Sequence, residues 1–96
     1  MDKDLKEFEE NAELLKALAH PVRLCIVKGL ISKGYCNVSY MEDCLGVSQP
    51  TISQHLARLK SAGIVKGIRK GNEINYELVN EKVEQLIKIL YCEVSE

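Results

Sequence analysis

Apolar positions recur at helical spacing through most of the chain and switch once to the alternation of strands. Leu5, Phe8, Ala12, Leu15 and Leu18 fall three and four residues apart with acids between them, which predicts an amphipathic helix over Asp4–Leu18. Its acid-rich start suits the positive end of the helix dipole. Pro21 opens a second helix with an apolar set at Leu24, Val27, Leu30 and Ile31, and Gly34 ends it. Cys36–Val38 reads as a short extended piece. Ser39 and Glu42 then have the spacing of a capping box and start a short third helix through Leu45, which Gly46 terminates. Ser48 caps a fourth helix, with Pro50 in its first turn and Gly63 as its stop. Ile64–Lys70 and Glu73–Val79 are strand-like and enclose the turn pair Gly71-Asn72. Helical period returns over Glu81–Val94 through Val83, Leu86, Ile87, Leu90, Tyr91 and Val94.

The order α-α-α-α-β-β-α is mainly α with a β-hairpin wing. Helices three and four, joined by Gly46-Val47-Ser48, make a helix-turn-helix, and the hairpin follows directly. The fold class expected is therefore a winged helix-turn-helix in a single domain. The terminal helices carry more apolar surface than so small a core needs. Val83, Leu86, Ile87, Leu90 and Tyr91 are placed to cover the first helix of a second copy, so a twofold homodimer is expected. The same stripes also serve the core within one chain.

The fourth helix is the unusual one. Ile52, Leu56 and Leu59 form its apolar stripe. At 100° per residue the opposite face centres on Pro50, Gln54, Ala57 and Ser61, flanked by Thr51, Ser53 and Arg58. A solvated helix ordinarily carries Glu and Lys there. Amides, hydroxyls and an Arg are the groups that bond base edges and phosphates, so this stretch reads as a DNA recognition helix.

Charge sharpens that reading. The chain of 96 residues has a formal net charge of −1, which argues against a generally basic nucleic-acid binder. From Cys44 through Asn72, however, Arg58, Lys60, Lys66, Arg69 and Lys70 occur without a single acid. A nearly neutral protein with one positive face docks on phosphate while its acidic parts stay away. With one Phe, four Tyr and no Trp, the core must be aliphatic. No apolar run reaches the length of a membrane span, so no membrane partner is expected. The opening MDKDLKEFEE is unlike a signal peptide, and a cytoplasmic protein is expected. No nucleophile–base pair, phosphate loop or carboxylate pair is recognisable, so neither an enzyme nor a cofactor is implied.

The runs LKALAHPVRLCIV and VSQPTISQHLARLKSAGIVKGIRKGNEINYEL resemble the ArsR/SmtB family of bacterial winged-helix repressors, over about Leu15 to Leu90. The resemblance implies a homodimer that binds double-stranded operator DNA, blocks transcription and lets go when an inducer binds or modifies it. It places DNA-reading residues at Ser48, Gln49, Thr51, Ser53, Gln54, His55 and Arg58, and wing contacts at Arg69, Lys70 and Asn72. His55 lies at the edge of the buried stripe, so two roles stay open for it: base or phosphate contact, or a bond to the backbone of its own motif.

The resemblance also frames what is sensed. The family's Cys-x-Cys metal positions are Asn37 and Ser39 here, with Cys36 one residue out of phase. The last helix, where other members carry Asp and His ligands, has no His; the two histidines are His20 and His55. A metal site of those kinds is not expected. Members that sense persulfide or oxidant pair a second-helix Cys with one in the last helix. Cys92 falls close to the latter position, Lys28 occupies the former, and Cys25 lies one turn earlier. A Cys25–Cys92 thiol switch is the expectation, with Arg23 and Lys28 favouring thiolate. Cys36 and Cys44 read as small core hydrophobes. Two alternatives stand beside it: a thiolate site for arsenite or another thiophilic metal built from some of these cysteines, and a winged-helix module that uses the same face on an acidic protein.

Overall fold

The computed structural model describes residues 5–92. Five helices and one antiparallel hairpin follow in the order α1 (Leu5–Leu18), α2 (Pro21–Lys33), α3 (Val38–Leu45), α4 (Gln49–Ser61), β1 (Val65–Lys70), β2 (Glu73–Leu78) and α5 (Glu81–Leu90). This is the expected winged helix-turn-helix, with element boundaries shifted by a few residues. Asp4 and Val94, expected at the ends of the first and last helices, lie outside the described residues.

The core is aliphatic. Ile52, Leu56 and Leu59 of α4 face inward against Ile26, Val27 and Leu30 of α2, Met41 of α3, Ile64 and Val65 at the entry to the hairpin, and Val83 and Ile87 of α5. In α2 the buried set differs from the expected one. Ile26 is buried, whereas Leu24 and Ile31 are only half-covered. Apolar side chains surround that helix, so periodicity alone does not choose its inner face.

The third helix begins earlier than expected. Asn37, not Ser39, is its cap: the Asn37 side-chain oxygen accepts from the Tyr40 amide at 2.8 Å, and the Asn37 backbone is extended. Asn and Ser cap equally well. Starting at Val38 half-covers that side chain against the core, while the Asn37 amide nitrogen donates to Glu73 at the start of β2. The extended piece shrinks accordingly to a single bridge, in which Cys36 and Tyr76 exchange both backbone bonds at 3.1 and 2.8 Å. Gly46 ends α3 with φ of 70°, a left-handed conformation that a side chain would strain, and its N–H closes on Glu42. Three residues later α4 begins.

In the hairpin, Val65 pairs with Leu78 and Lys70 with Glu73. Gly71 alone of the turn pair takes a positive φ, at 63°. The last helix stops short of expectation, as Tyr91 leaves helical geometry while its N–H still reaches Ile87. Among the described residues no helix is long and apolar enough to cross a membrane.

The α1 stripe behaves differently from the rest. Of its five positions only Leu18 is buried; Leu5, Phe8 and Leu15 are 63%, 62% and 54% exposed, and Ala12 is exposed. In α5, Ile89 and Leu90 are 74% and 62% exposed. Leu15, Leu86, Ile89 and Leu90 line one apolar groove between the terminal helices and α2. Among the described residues that surface stays uncovered.

Candidate nucleic-acid interface

α4 follows from its sequence. Ser48 sits in extended conformation, and its hydroxyl accepts from the Thr51 amide at 3.4 Å while meeting the Thr51 hydroxyl at 3.0 Å. Pro50 in the first turn sacrifices no intrahelical bond. With Ile52, Leu56 and Leu59 fixed inward, Gln49, Pro50, Ser53, Gln54, Ala57 and Lys60 are all exposed, and Thr51 is half-covered. Ser48, Gln49, Thr51, Ser53 and Gln54 are thereby gathered at the N-terminal half of one open face. This half also presents the positive end of the helix dipole.

The C-terminal half is more constrained. Arg58 is half-covered and its guanidinium lies 3.6 Å from the Glu13 carboxylate of α1, which also meets Lys16 at 3.6 Å. Ser61 turns back to donate to the Arg58 carbonyl. The wing supplies Lys66, Arg69, Lys70 and Asn72, all exposed, with Arg69 donating to the Gly71 carbonyl at the turn.

His55 is half-covered at the edge of the buried stripe, and its side-chain partners come from the start of α2 and the residue before it. Its Nδ1 lies 3.2 Å from an Arg23 guanidinium nitrogen, and its ring lies 4.4 Å from that of His20, tilted by 47°. Desolvation holds the His55 imidazole below its ordinary value, with His20 and Arg23 pushing the same way. Arg23 also donates to the Ala17 carbonyl at 2.6 Å, and His20 caps α2 by accepting from the Val22 amide. Sequence reasoning missed these partners. His20 before Pro21 is a legible capping position, but Glu13–Arg58 and Arg23–His55 join residues too far apart for any local signal.

The thiols fall into two places. Cys25, Cys36 and Cys44 line one cleft of about 220 Å3 between α2 and α3, whereas Cys92 follows the end of α5. Cys36 is buried; the other three are exposed, and all four are free. Burial pushes the Cys36 thiol up, opposed by Lys33. Tyr40, hydrogen-bonded to Cys44, has its phenol raised first by that bond. Cys44 is thus on a cleft wall rather than in the core expected for it. Among the described residues no three His, Cys, Asp or Glu side chains converge as ligands of a metal ion would.

Residues 20–66 match the model described as "Bacterial regulatory protein, arsR family". The biofilm growth-associated repressor of Xylella fastidiosa is 43% identical over 86 residues, spanning 90% of this chain and 75% of that one. The chain belongs to the ArsR family. The crystal structure of the transcriptional repressor PagR of Bacillus anthracis superimposes with a TM-score of 0.83 at 41% identity, covering 91% of this chain and 99% of that one. A solution structure of the homodimeric winged helix-turn-helix DNA-binding domain of a possible ArsR-family regulator from Mycobacterium bovis gives 0.83 at 29% identity, covering 96% and 84%. The helix-turn-helix and the start of the wing lie within the matched segment, so family membership rests on the elements that carry the polar face.

Proposed function

We propose that this ArsR-family member is a homodimeric transcriptional repressor that reads a pseudo-palindromic operator in double-stranded DNA. The observation that carries the reading is the open α4 face. It presents Gln49, Ser53 and Gln54 where a solvated helix would hold ions, and the acid-free run continues from it through Lys66, Arg69 and Lys70 of β1 to Asn72 at the hairpin turn. Ser48 and Thr51 flank the face, with Arg58 toward its C-terminal end. Ser and Gln side chains read base edges from the major groove, and Arg69, Lys70 and Asn72 are suited to backbone contact. The apolar groove between α1 and α5 supports the dimer, as does the homodimeric M. bovis relative. Two such helices about 34 Å apart would meet successive turns of one duplex face.

Fluorescence anisotropy on a duplex from the protein's own upstream region, at several salt concentrations, tests this. A steep salt slope with sequence preference is expected. Gln54→Ala should weaken single-base discrimination, and Lys70→Ala should lower affinity evenly across sequences. Binding to an acidic protein but to no duplex would instead support the interaction-module alternative.

Release is assigned to thiol chemistry at Cys25 and Cys92, closed into a disulfide or a tri- or tetrasulfide with a persulfide or oxidant as electron acceptor. Three observations support it. Both thiols are exposed, α2 packs against α5, and the Lys28 ammonium lies 6.0 Å from the ring of Tyr91, beside Cys92. Persulfide treatment, intact mass and peptide mapping test it; lack of a Cys25–Cys92 crosslink removes it. A second reading, capture of arsenite or another thiophile in the Cys25, Cys36 and Cys44 cleft, is favoured by their shared lining. Arsenite-dependent loss of DNA binding that survives Cys92→Ser and is abolished by Cys44→Ser would support that reading.

A further inference from the structure

The fold has to transmit an orientation. α1 and α5 carry the apolar face that pairs two copies, whereas α4 carries the face that meets DNA. The angle between them decides whether two reading helices match one duplex. A small polar cluster spans that joint. Arg23, in the first turn of α2, donates through Nε to the carbonyl of Ala17 at 2.6 Å. Ala17 is wholly buried in the last turn of α1, so this anchor is fixed. The far end of the same guanidinium lies 3.2 Å from Nδ1 of His55 on the inner edge of α4. His20 closes the cluster, its ring tilted against that of His55 while its own Nδ1 caps α2.

We infer that Arg23 is a positioning residue whose guanidinium clamps the recognition helix to the α1–α2 corner, and that the clamp holds only while the His55 ring is neutral, so that operator reading is lost in mild acid. The inference rests on α4 being the DNA-reading helix. A guanidinium has donors and no acceptor, so the 3.2 Å contact requires Nδ1 to carry the lone pair and Nε2 the proton. Protonating the ring removes the only acceptor and sets a second cation against Arg23. The groups acting on His55 are His20, just before α2, and Arg23 within it. Among the described residues no carboxylate of α1 or α3 joins them; Glu13 of α1 meets Arg58 and Lys16 instead. Desolvation and both of these groups oppose a positive imidazole, which holds the ring below its ordinary value.

The sign is opposite to simple electrostatics. A new positive charge on a DNA-facing helix strengthens attraction to phosphate, so non-selective binding holds or rises on acidification. Loss of the clamp instead misaligns the two reading helices and costs selectivity.

The test compares a duplex enriched by the protein from a randomised pool with poly(dI-dC), by anisotropy between about pH 7.5 and about pH 4.5, a range that includes the ordinary imidazole value and extends well below it. In the wild type the selective-to-non-selective ratio should fall several-fold, with a ceiling of about tenfold per pH unit for uptake of one proton. His55→Asn places a non-titrating oxygen near the position of Nδ1. It should flatten the pH profile of the ratio, whatever the ratio's value at neutral pH. Arg23→Lys has one donor group and cannot span both acceptors; it should lose selectivity at neutral pH with unchanged helical content by circular dichroism. Parallel profiles for wild type and His55→Asn, or wild-type selectivity in Arg23→Lys, would overturn the clamp. So would a ring nitrogen spectrum of the wild type placing the proton on Nδ1 at neutral pH, a measurement independent of whether either variant folds. Absence of any duplex preference at neutral pH would overturn the DNA reading, while the ring spectrum still judges the clamp by itself.

Discussion

Replacing Ile89 by Asp should turn a dimer into a monomer without unfolding the chain. The side chain is 74% exposed and lines the groove shared with Leu15, Leu86 and Leu90, so it contributes little to the monomer core. Leu5, Phe8, Leu15, Ile89 and Leu90 together leave about three side-chain equivalents of apolar surface uncovered in each protomer. At roughly 1.5–3 kcal/mol for full burial of one such side chain, two protomers stand to gain on the order of 10–20 kcal/mol by covering it. Association costs about 4–15 kcal/mol in lost freedom, so a net dimer is expected, though not one with a large surplus.

The substitution acts twice in a twofold dimer. Losing the exposed part of two Ile side chains removes about 2–4 kcal/mol. Burying two carboxylates opposite apolar partners adds a further penalty of at least about 1–3 kcal/mol, the cost of an unsatisfied buried polar group. The dimer constant should therefore weaken by at least about a hundredfold, each 1.4 kcal/mol being tenfold. Sedimentation velocity over a concentration series reads this directly, with circular dichroism confirming retained helix. An Ile89→Asp protein that still sediments as the wild-type dimer would refute the assignment of this groove to self-association.

Other outcomes follow from individual contacts. Glu13→Gln frees Arg58 and removes a negative charge beside α4. Because both partners are substantially exposed, the pair is worth no more than about 1 kcal/mol, so duplex affinity should rise by about twofold to fivefold at low salt and the gain should vanish as salt increases. Gly67→Ala puts a methyl group 2.8 Å from Ile74 Cγ2 and 3.0 Å from Tyr76 Cε1 across the hairpin, so a loss of about 1–3 kcal/mol is expected in urea unfolding. In the absence of DNA, the downward shift of His55 makes the unfolded chain bind its proton first as pH falls through the ordinary value of 6.5. Wild-type stability should therefore decline on acidification from that point, and His55→Asn should remove this component of the slope.

Legibility in the sequence tracked how local each determinant is. α4 was readable because its stripe, cap and stop all lie within one stretch, and the structure buries Ile52, Leu56 and Leu59 as that stretch requires. The hairpin was readable from Gly71 and the change of period. α2 was harder: its apolar residues encircle it, so which of Leu24 or Ile26 turns inward depends on neighbours that no window contains. The start of α3 was missed because Asn37 and Ser39 are equally good caps. The choice falls to Val38, which needs the core, and to Glu73, 36 residues away, which takes the Asn37 amide. His55 was correctly placed at the edge of the stripe, but Arg23 reaches it from 32 residues away. The thiol cleft is of the same kind, since Cys25, Cys36 and Cys44 share no motif and meet only because α2 packs beside α3.

The contacts that escaped the sequence are those that limit the exposed face. With a net charge of −1 the protein has no general attraction for DNA, so its affinity must come from a few cations. One of these, Arg58, is held by Glu13, and another, Arg23, is turned inward on His55. Both restraints come from the α1–α2 corner, next to the groove assigned to pairing. Arg58 gains phosphate contact only by leaving Glu13, an exchange that is nearly even for an exposed pair and therefore adds little affinity. Arg23 makes no such exchange, because its partners are a buried carbonyl and a ring on the helix itself. Affinity and alignment thus reside in different arginines, and they separate experimentally: Glu13→Gln should change how tightly any duplex is held, whereas Arg23→Lys should change which duplex is held.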